Sequence, residues 1–181
     1  MYPAPDLRVR HRALTLFVLA AAASRLLPHP PNFTAVPAMA LFSGVLFGRR
    51  WLAFAVPLMA MALGDLVLGM FVYGTDAFIG ATPVYLCICA MVWIGFRATL
   101  SLGGVVGGAV VSTGTFFLIT NLSVWAFGGL YPMTLAGLAA CYAAAIPFAL
   151  NMLASSLVYG LGLFGLWTLA ERRFPSLARV Q

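Results

Sequence analysis

The stretch WLAFAVPLMAMALGDLVLGMF, residues 51–71, is apolar throughout except for the charged side chain of Asp65. A helix rises 1.5 Å per residue, so about 20 apolar residues cross the roughly 30 Å hydrocarbon core of a bilayer. A soluble domain of 181 residues cannot bury runs of this kind along its whole length. The stretch therefore predicts a transmembrane helix, and similar runs elsewhere predict a chain built from such helices.

The composition of the whole chain supports this prediction. Hydrophobic residues make up 63% and charged residues only 8%, whereas about a quarter of the residues in soluble domains are charged. The net charge of +6 would suit a nucleic-acid-binding protein, but the basic residues mark the ends of apolar runs and do not cluster on one element. We predict a single transmembrane domain over residues 1–181, with the lipid bilayer and no nucleic acid among its partners.

Polar or proline-containing breaks divide the apolar sequence into about six predicted spans. A further apolar segment, 134–146, is too short to cross a bilayer, and we expect it to form a short helix near the outer face. The predicted fold class is an all-α integral membrane protein of six transmembrane helices plus this short outer-side helix. The predicted spans are 13–27, 33–48, 51–71, 77–96, 100–127 and 147–170.

The arginines determine the predicted orientation, because cytoplasmic loops of membrane proteins are enriched in Lys and Arg. With a cytoplasmic N-terminus and six spans, nine of the ten arginines lie on the cytoplasmic side. The loops on the other side, near 28–34, 72–82 and 128–134, contain neither Lys nor Arg. We therefore expect a multi-pass protein of the bacterial inner membrane with both termini in the cytoplasm. The nine arginines are Arg8, Arg10, Arg12, Arg49, Arg50, Arg97, Arg172, Arg173 and Arg179.

An alternative topology follows from the first 24 residues. They begin with basic residues, continue into an apolar core and end near small residues at 20–23, which resembles a secretory signal peptide. Cleavage there would leave five spans and would place Arg172 and Arg173 outside.

Polar residues inside the predicted spans collect toward the outer side. Arg25 lies at the outer end of the first span, and Asp65 lies about two-thirds of the way along the third. Charged groups in lipid cost about 2.5–3.5 kcal/mol each on insertion scales, so they face partners or a wet cavity. We predict an outward-facing cavity for a small polar or amphipathic ligand. Its candidate residues are Arg25, His29, Asn32, Asp65, Tyr85, Cys87, Asn121, Trp125, Tyr131 and Asn151.

The same polar residues have a structural interpretation. Arg25 and Asp65 could pair with each other, and the Asn side chains could join neighbouring helices by hydrogen bonds. Enzyme signatures are weak, because the chain has four acidic residues and two histidines, and no His lies deep in a span to serve as a base. We therefore predict a protein that is not an enzyme and that has no cofactor.

Motifs along nearly the whole chain resemble a family of uncharacterised bacterial membrane proteins. That family is similar to the substrate-binding S-components of energy-coupling factor (ECF) vitamin transporters in size, six-span layout and the Pro-Asn loop after the first helix. The motifs are Arg25-Leu-Leu-Pro-His-Pro-Pro-Asn-Phe-Thr34, Ala40-Leu-Phe-x-Gly44, Gly64-Asp65, Thr120-Asn-x-x-x-Trp125, Tyr131-Pro-x-Thr-x-Ala-Gly137 and Ile146-Pro-Phe148.

The resemblance implies a membrane-embedded substrate-binding subunit of a vitamin or related small-nutrient importer, with the ligand captured from the outer side. S-components deliver their ligand by toppling against a transmembrane coupling subunit driven by ATPases. Small residues of the first helix form their docking face, which here implies Ala20 and Ser24. In the cobalamin importers that the chain resembles, a cysteine near the cavity ligates cobalt, so Cys87 would contact a metal only if the ligand is a cobalamin. The alternative is a structural or assembly protein without a transport role.

The orientation generates a testable prediction. Reporter fusions after Arg50, Arg97 and Gln181 should report a cytoplasmic location, and fusions near Tyr73 and Tyr131 should report an external one, because only the first group flanks arginine-rich loops. Alkaline phosphatase and green fluorescent protein fusions measure the two outcomes. An external C-terminus would contradict the six-span topology and favour the signal-peptide alternative.

Overall fold

The computed structural model describes residues 6–47, 50–74 and 80–178, and within these ranges it contains helices and turns but no strand. The predicted all-α class is therefore confirmed for this part of the chain. Arg49, Arg179 and Gln181, which entered the topology prediction, lie outside the described residues, as does the side chain of Tyr73. The six α-helices are α1 (Leu7–Ala23), α2 (Val36–Leu46), α3 (Arg50–Leu68), α4 (Ala81–Gly95), α5 (Leu102–Phe127) and α6 (Leu135–Arg173).

Three short helical turns extend these helices. A 3₁₀ turn, Ser24–Leu26, follows α1, and a second one, Pro175–Leu177, follows α6. A π-helical turn, Gly69–Tyr73, continues α3. In the described part of the chain, three helices are long and apolar enough to cross a membrane, namely Arg50–Val72, Leu102–Phe127 and Leu135–Arg173. The segments predicted as spans 13–27, 33–48 and 77–96 form the shorter helices α1, α2 and α4.

The short helix α2 lies at the centre of the bundle and contacts the other five helices. Every one of its residues except Val45 is buried. Its 11 residues cover about 16 Å. Close approach to α4 requires glycine on both helices, because a Cβ atom added at Gly44 would lie 2.8 Å from the Cα of Gly95. The backbones of α2 and α4 therefore pack directly against each other.

The outside of the bundle is rich in exposed apolar side chains. Met59 of α3, Leu118 of α5 and Leu166 of α6 are 64%, 58% and 59% exposed. Inside, Phe42 of α2 packs edge-on against Phe164 and Trp167 of α6. The bundle thus has an apolar exterior in addition to an apolar core.

Helix α6 corrects one expectation. We expected a short outer helix over 134–146 and a separate span over 147–170, but the structure has one continuous helix of 39 residues. Pro147 inside it removes one backbone hydrogen bond to the carbonyl of Ala143. The alanine-rich sequence before the proline has a strong helix propensity, which keeps the helix continuous. The prediction of a separate short helix was wrong.

A buried arginine connects four elements at the end of the bundle opposite Arg25. Arg10 of α1 is 3% exposed, and it donates hydrogen bonds to Glu171 Oε1 at 2.6 Å and to the carbonyl of Leu177. Its other terminal nitrogen lies 3.4 Å from the carbonyl oxygen of Leu46 at the end of α2. Its guanidinium carbon lies 5.2 Å from the centre of the Trp167 ring. Arg10 therefore ties α1, α2, α6 and the C-terminal turn together.

This network predicts the effect of removing Arg10. Arg10→Met should lower the free energy of unfolding by about 3 kcal/mol, because it leaves Glu171 and two carbonyls without their donor in a buried place. Thermal melting of the purified protein in detergent measures the change. Arg12→Met is the matched control, because Arg12 lies on the same helix and is exposed. Equal melting temperatures for the two variants would contradict the assignment.

Candidate ligand-binding site

The predicted pair of Arg25 and Asp65 is present, with Asp65 buried and Arg25 partly buried. Arg25 lies in the 3₁₀ turn after α1, and its Nη2 donates to Asp65 Oδ1 of α3 at 2.9 Å. Tyr85 of α4 donates its hydroxyl to the other carboxylate oxygen, Oδ2, at 2.8 Å. A Cβ atom at Gly64 would lie 3.2 Å from Arg25 Nη1, so glycine lets this amino group approach α3 closely. Both oxygens of Asp65 are therefore occupied by protein donors.

The second amino group of Arg25 is less well satisfied. Its Nη1 lies 2.8 Å from the sulfur of Met61, one helical turn before Asp65. A thioether is a weak acceptor, so this donor group retains capacity for a stronger partner. Arg25 lines a cavity of about 190 Å³ at this end of the bundle, whereas Asp65 is 5% exposed and is absent from its lining. Asp65 thus fixes Arg25 by an ion pair outside the cavity lining, and Arg25 itself lines the cavity.

The cavity also contains the beginning of α2. Val36 and Pro37, the first residues of that helix, belong to its wall, and no side chain caps the helix at Ala35. The first N–H groups of a helix lack partners within it, and the helix dipole places a partial positive charge there. Apart from Arg25, the cavity wall is formed by Asn32, Thr34, Val36, Pro37, Met61, Val84, Phe116 and Met152. Its polar groups therefore suit an acceptor or an anion, and its remaining walls are mostly apolar.

A second cavity of about 180 Å³ adjoins the first between α5 and α6. Asn32, Phe116 and Met152 line both cavities, so the two spaces share a wall. Asn121 lines the second cavity, although its Nδ2 donates to the carbonyl of Phe117 in its own helix at 2.8 Å. Asn32 has a φ of 60°, in the left-handed region that asparagine tolerates better than most residues. We call these two spaces together the outer cavity.

Five predicted site residues are thus near one another, namely Arg25, Asn32, Asp65, Tyr85 and Asn121. Two others hold nearby chain in place. Asn151 of α6 donates to the carbonyl of Pro31 at 3.1 Å, which ties α6 to the loop after α1. Trp125 donates to the carbonyl of Pro132 at 3.0 Å, which closes the turn between α5 and α6.

The remaining predicted residues lie outside the lining of the outer cavity. His29 is exposed and interacts with the carbonyl of its neighbour Pro30. Tyr131 is half-buried in the turn before α6. Cys87 is completely buried in the core of α4.

The predicted docking residues lie on the first helix, with Ala20 exposed and Ser24 half-buried. The hydroxyl of Ser24 donates to the carbonyl of Ala21 at 2.6 Å. Beside them, α1 and α3 form a shallow groove whose wall includes the small residues Ala22, Ala23, Ala60 and Gly64.

Sequence patterns did not indicate Thr34 or the apolar part of the cavity wall. Met61 precedes Asp65 by four residues, so helical periodicity places it on the same face. Thr34 follows the Pro-Asn loop directly. Phe116 and Met152 carried no comparable signal, because their helices contain many apolar residues and only the packing of α5 against α6 brings them to this cavity.

Over the residues that the structure describes, the fold is all-helical, three helices are long and apolar enough to cross a membrane, and the arginine of a largely buried ion pair lines a cavity. The chain belongs to a family of unknown function (DUF6580), whose family model matches residues 6–177. No curated protein and no solved structure matches it.

The geometry of the ion pair predicts a double-mutant cycle. Asp65→Asn should lower the free energy of unfolding by about 3 kcal/mol, because it leaves the guanidinium of Arg25 without its counter-ion. Arg25→Gln should have a similar effect on Asp65. The charge-neutral double variant Arg25→Gln/Asp65→Asn should recover much of this loss, since two amides can bond to each other. Thermal melting in detergent gives the three values, and strictly additive losses would contradict direct coupling.

Proposed function

We propose that the protein is a multi-pass membrane protein that captures a small amphipathic molecule with an anionic group from the outer side, as the substrate-binding subunit of a vitamin-type importer. The observation that carries the proposal is Arg25, which lines the outer cavity and has one amino group whose bonding partner is the weakly accepting thioether of Met61. The other end of its guanidinium is fixed by Asp65. Such an arrangement orients a donor toward a ligand before the ligand arrives.

The membrane placement is supported by the exterior of the bundle. Soluble monomers rarely expose large contiguous apolar patches, yet α3, α5 and α6 carry exposed leucines, methionines and phenylalanines along their lengths. In the proposed six-span arrangement, α2 and the loop before it form the second crossing. Irregular backbone at membrane depth is tolerated where protein surrounds it or where it lines a cavity. The loop from Leu27 to Ala35 does the latter at Asn32 and Thr34.

The charge of the site favours an anionic group on the ligand. Asp65 neutralises Arg25, but the uncapped beginning of α2 adds partial positive charge to the same cavity. A carboxylate bound there would accept from Arg25 and from the backbone N–H of Val36, since Pro37, the other α2 residue in the wall, has no N–H. The apolar remainder of the ligand would contact Met61, Phe116 and Met152.

Active transport would draw its energy from another subunit or from a gradient, because the sequence contains no phosphate-binding glycine loop. We propose that a transmembrane coupling subunit driven by ATPases docks on α1 near Ala20 and Ser24. The groove of small residues between α1 and α3 supports this position, since small side chains let another helix approach closely.

A second candidate function is a structural or assembly role in which the polar residues only join helices. The bonds of Asp65, Asn121 and Asn151 favour it, because each of these side chains bonds to protein groups. This interpretation accounts for those three residues. It does not account for the weak thioether partner of Arg25 Nη1 in a residue that lines the cavity.

Mass spectrometry of small molecules extracted from the purified protein distinguishes the two functions. The wild type should carry a bound organic anion, and the charge-neutral double variant Arg25→Gln/Asp65→Asn should lose at least nine-tenths of it while remaining folded. Asn32→Gly should also reduce the bound amount, because glycine retains the positive φ but removes the amide from both parts of the cavity.

Arg12→Gln is the control, since Arg12 is exposed on α1 and does not line the outer cavity. A wild type that carries no organic anion would favour the structural role. The same conclusion would follow from a double variant that retains the wild-type amount.

A further inference from the structure

A groove of about 410 Å³ lies between α5 and α6 at the end of the bundle opposite the outer cavity. Its floor is formed by Val105 and Phe164, which are 3% and 5% exposed. Its sides are exposed leucines from both helices and from the turn just before α5. The leucines are Leu100, Leu102, Leu161 and Leu169.

Glycine makes this groove possible. Gly165 of α6 lines it, and a Cβ atom added there would meet nothing within 4 Å. The missing side chain leaves a gap over Phe164, between Leu161 and Leu169. The volume of the groove and its apolar lining suit an extended hydrocarbon chain.

One end of the groove carries a free positive charge. Arg172, in the last turn of α6, lines the groove and is exposed. Its neighbour Glu171 is already paired with Arg10, and among the described residues no acidic side chain forms an ion pair with Arg172. The hydroxyl of Ser101 lines the same groove. The groove therefore combines an apolar surface with a guanidinium group that has no acidic partner among the described residues.

We propose that this groove binds an anionic phospholipid, with one acyl chain along Val105 and Phe164 and the phosphate at Arg172. In the predicted orientation Arg172 lies at the cytoplasmic surface, where anionic lipids attract basic side chains. Charge complementarity therefore selects a lipid over an uncharged apolar partner. The inference rests on the membrane placement in the proposed function and is independent of ligand capture at the outer cavity.

Native mass spectrometry of the full chain in detergent tests the proposal with two lipids that have the same acyl chains. Phosphatidylglycerol should bind more tightly than phosphatidylcholine. Arg172→Gln should weaken phosphatidylglycerol binding about fivefold, the effect of one arginine near a charged surface, and should leave phosphatidylcholine binding unchanged. Gly165→Leu should weaken the binding of both lipids, because the leucine side chain fills the gap between Leu161 and Leu169.

Two matched controls accompany these variants. Arg173→Gln removes a neighbouring exposed arginine, and Gly162→Leu adds the same bulk at another open glycine of α6, yet neither residue lines the groove. Controls that weaken lipid binding as much as Arg172→Gln and Gly165→Leu would show unspecific coating of the surface and overturn the proposal. Displacement of the lipid by soluble glycerol 3-phosphate alone would also overturn it, since the site would then be a phosphate site.

If both lipids bind and no variant changes their binding, the groove is not a lipid site and the proposal is contradicted. The groove would then remain open to a helix of a partner protein. Neither Arg172 nor Gly165 lines the outer cavity. A negative result here would therefore leave the anion content of the purified protein, and the function that it tests, unaffected.

Discussion

The arrangement of this protein depends on the burial of the short helix α2. Its 11 residues are too few to cross a bilayer alone, and the other five helices enclose it. Direct contact with α4 requires Gly44 and Gly95, and contact with α6 is made by Phe42. Because the helix is short, both of its ends lie within the protein and need polar partners there. The two functional features of the molecule follow from those ends.

One arginine lies near each end of α2. The first offsets the charge of the helix dipole at its end, and the second adds to it. At the C-terminal end, Arg10 approaches the carbonyl of Leu46, where a cation offsets the negative end of the helix dipole. At the N-terminal end, Arg25 adds a positive group to a cavity that already contains the positive end of the dipole. Asp65 offsets one of these charges. The first end is therefore complete within the protein, and the second is the place where we propose that an anion binds.

Periodicity and charge predicted much of this molecule because they act over short stretches. They gave the helical class, the approximate positions of all six helices and the Arg25–Asp65 pair. They did not give the Arg10–Glu171 pair, because residues 161 positions apart meet only through the packing of α1 against α6. The same patterns predicted a helix end at Pro147, where the structure has one continuous helix. The rule that proline interrupts a helix gave too little weight to the alanine-rich segment before it. The cavity wall from α5 and α6 required the same long-range packing.

The structural and ligand-binding interpretations of the ion pair apply to different atoms. Asp65 Oδ1 and Oδ2 both accept from protein donors, so the carboxylate has a structural role that needs no ligand. Arg25 Nη2 belongs to the same structural bond, whereas Nη1 bonds to the thioether of Met61, which lines the cavity together with Arg25. A guanidinium can serve both roles because its planar geometry fixes the second amino group once the first is bonded. The pair that holds α3 to the end of α1 thus also fixes the position of an arginine that lines the outer cavity.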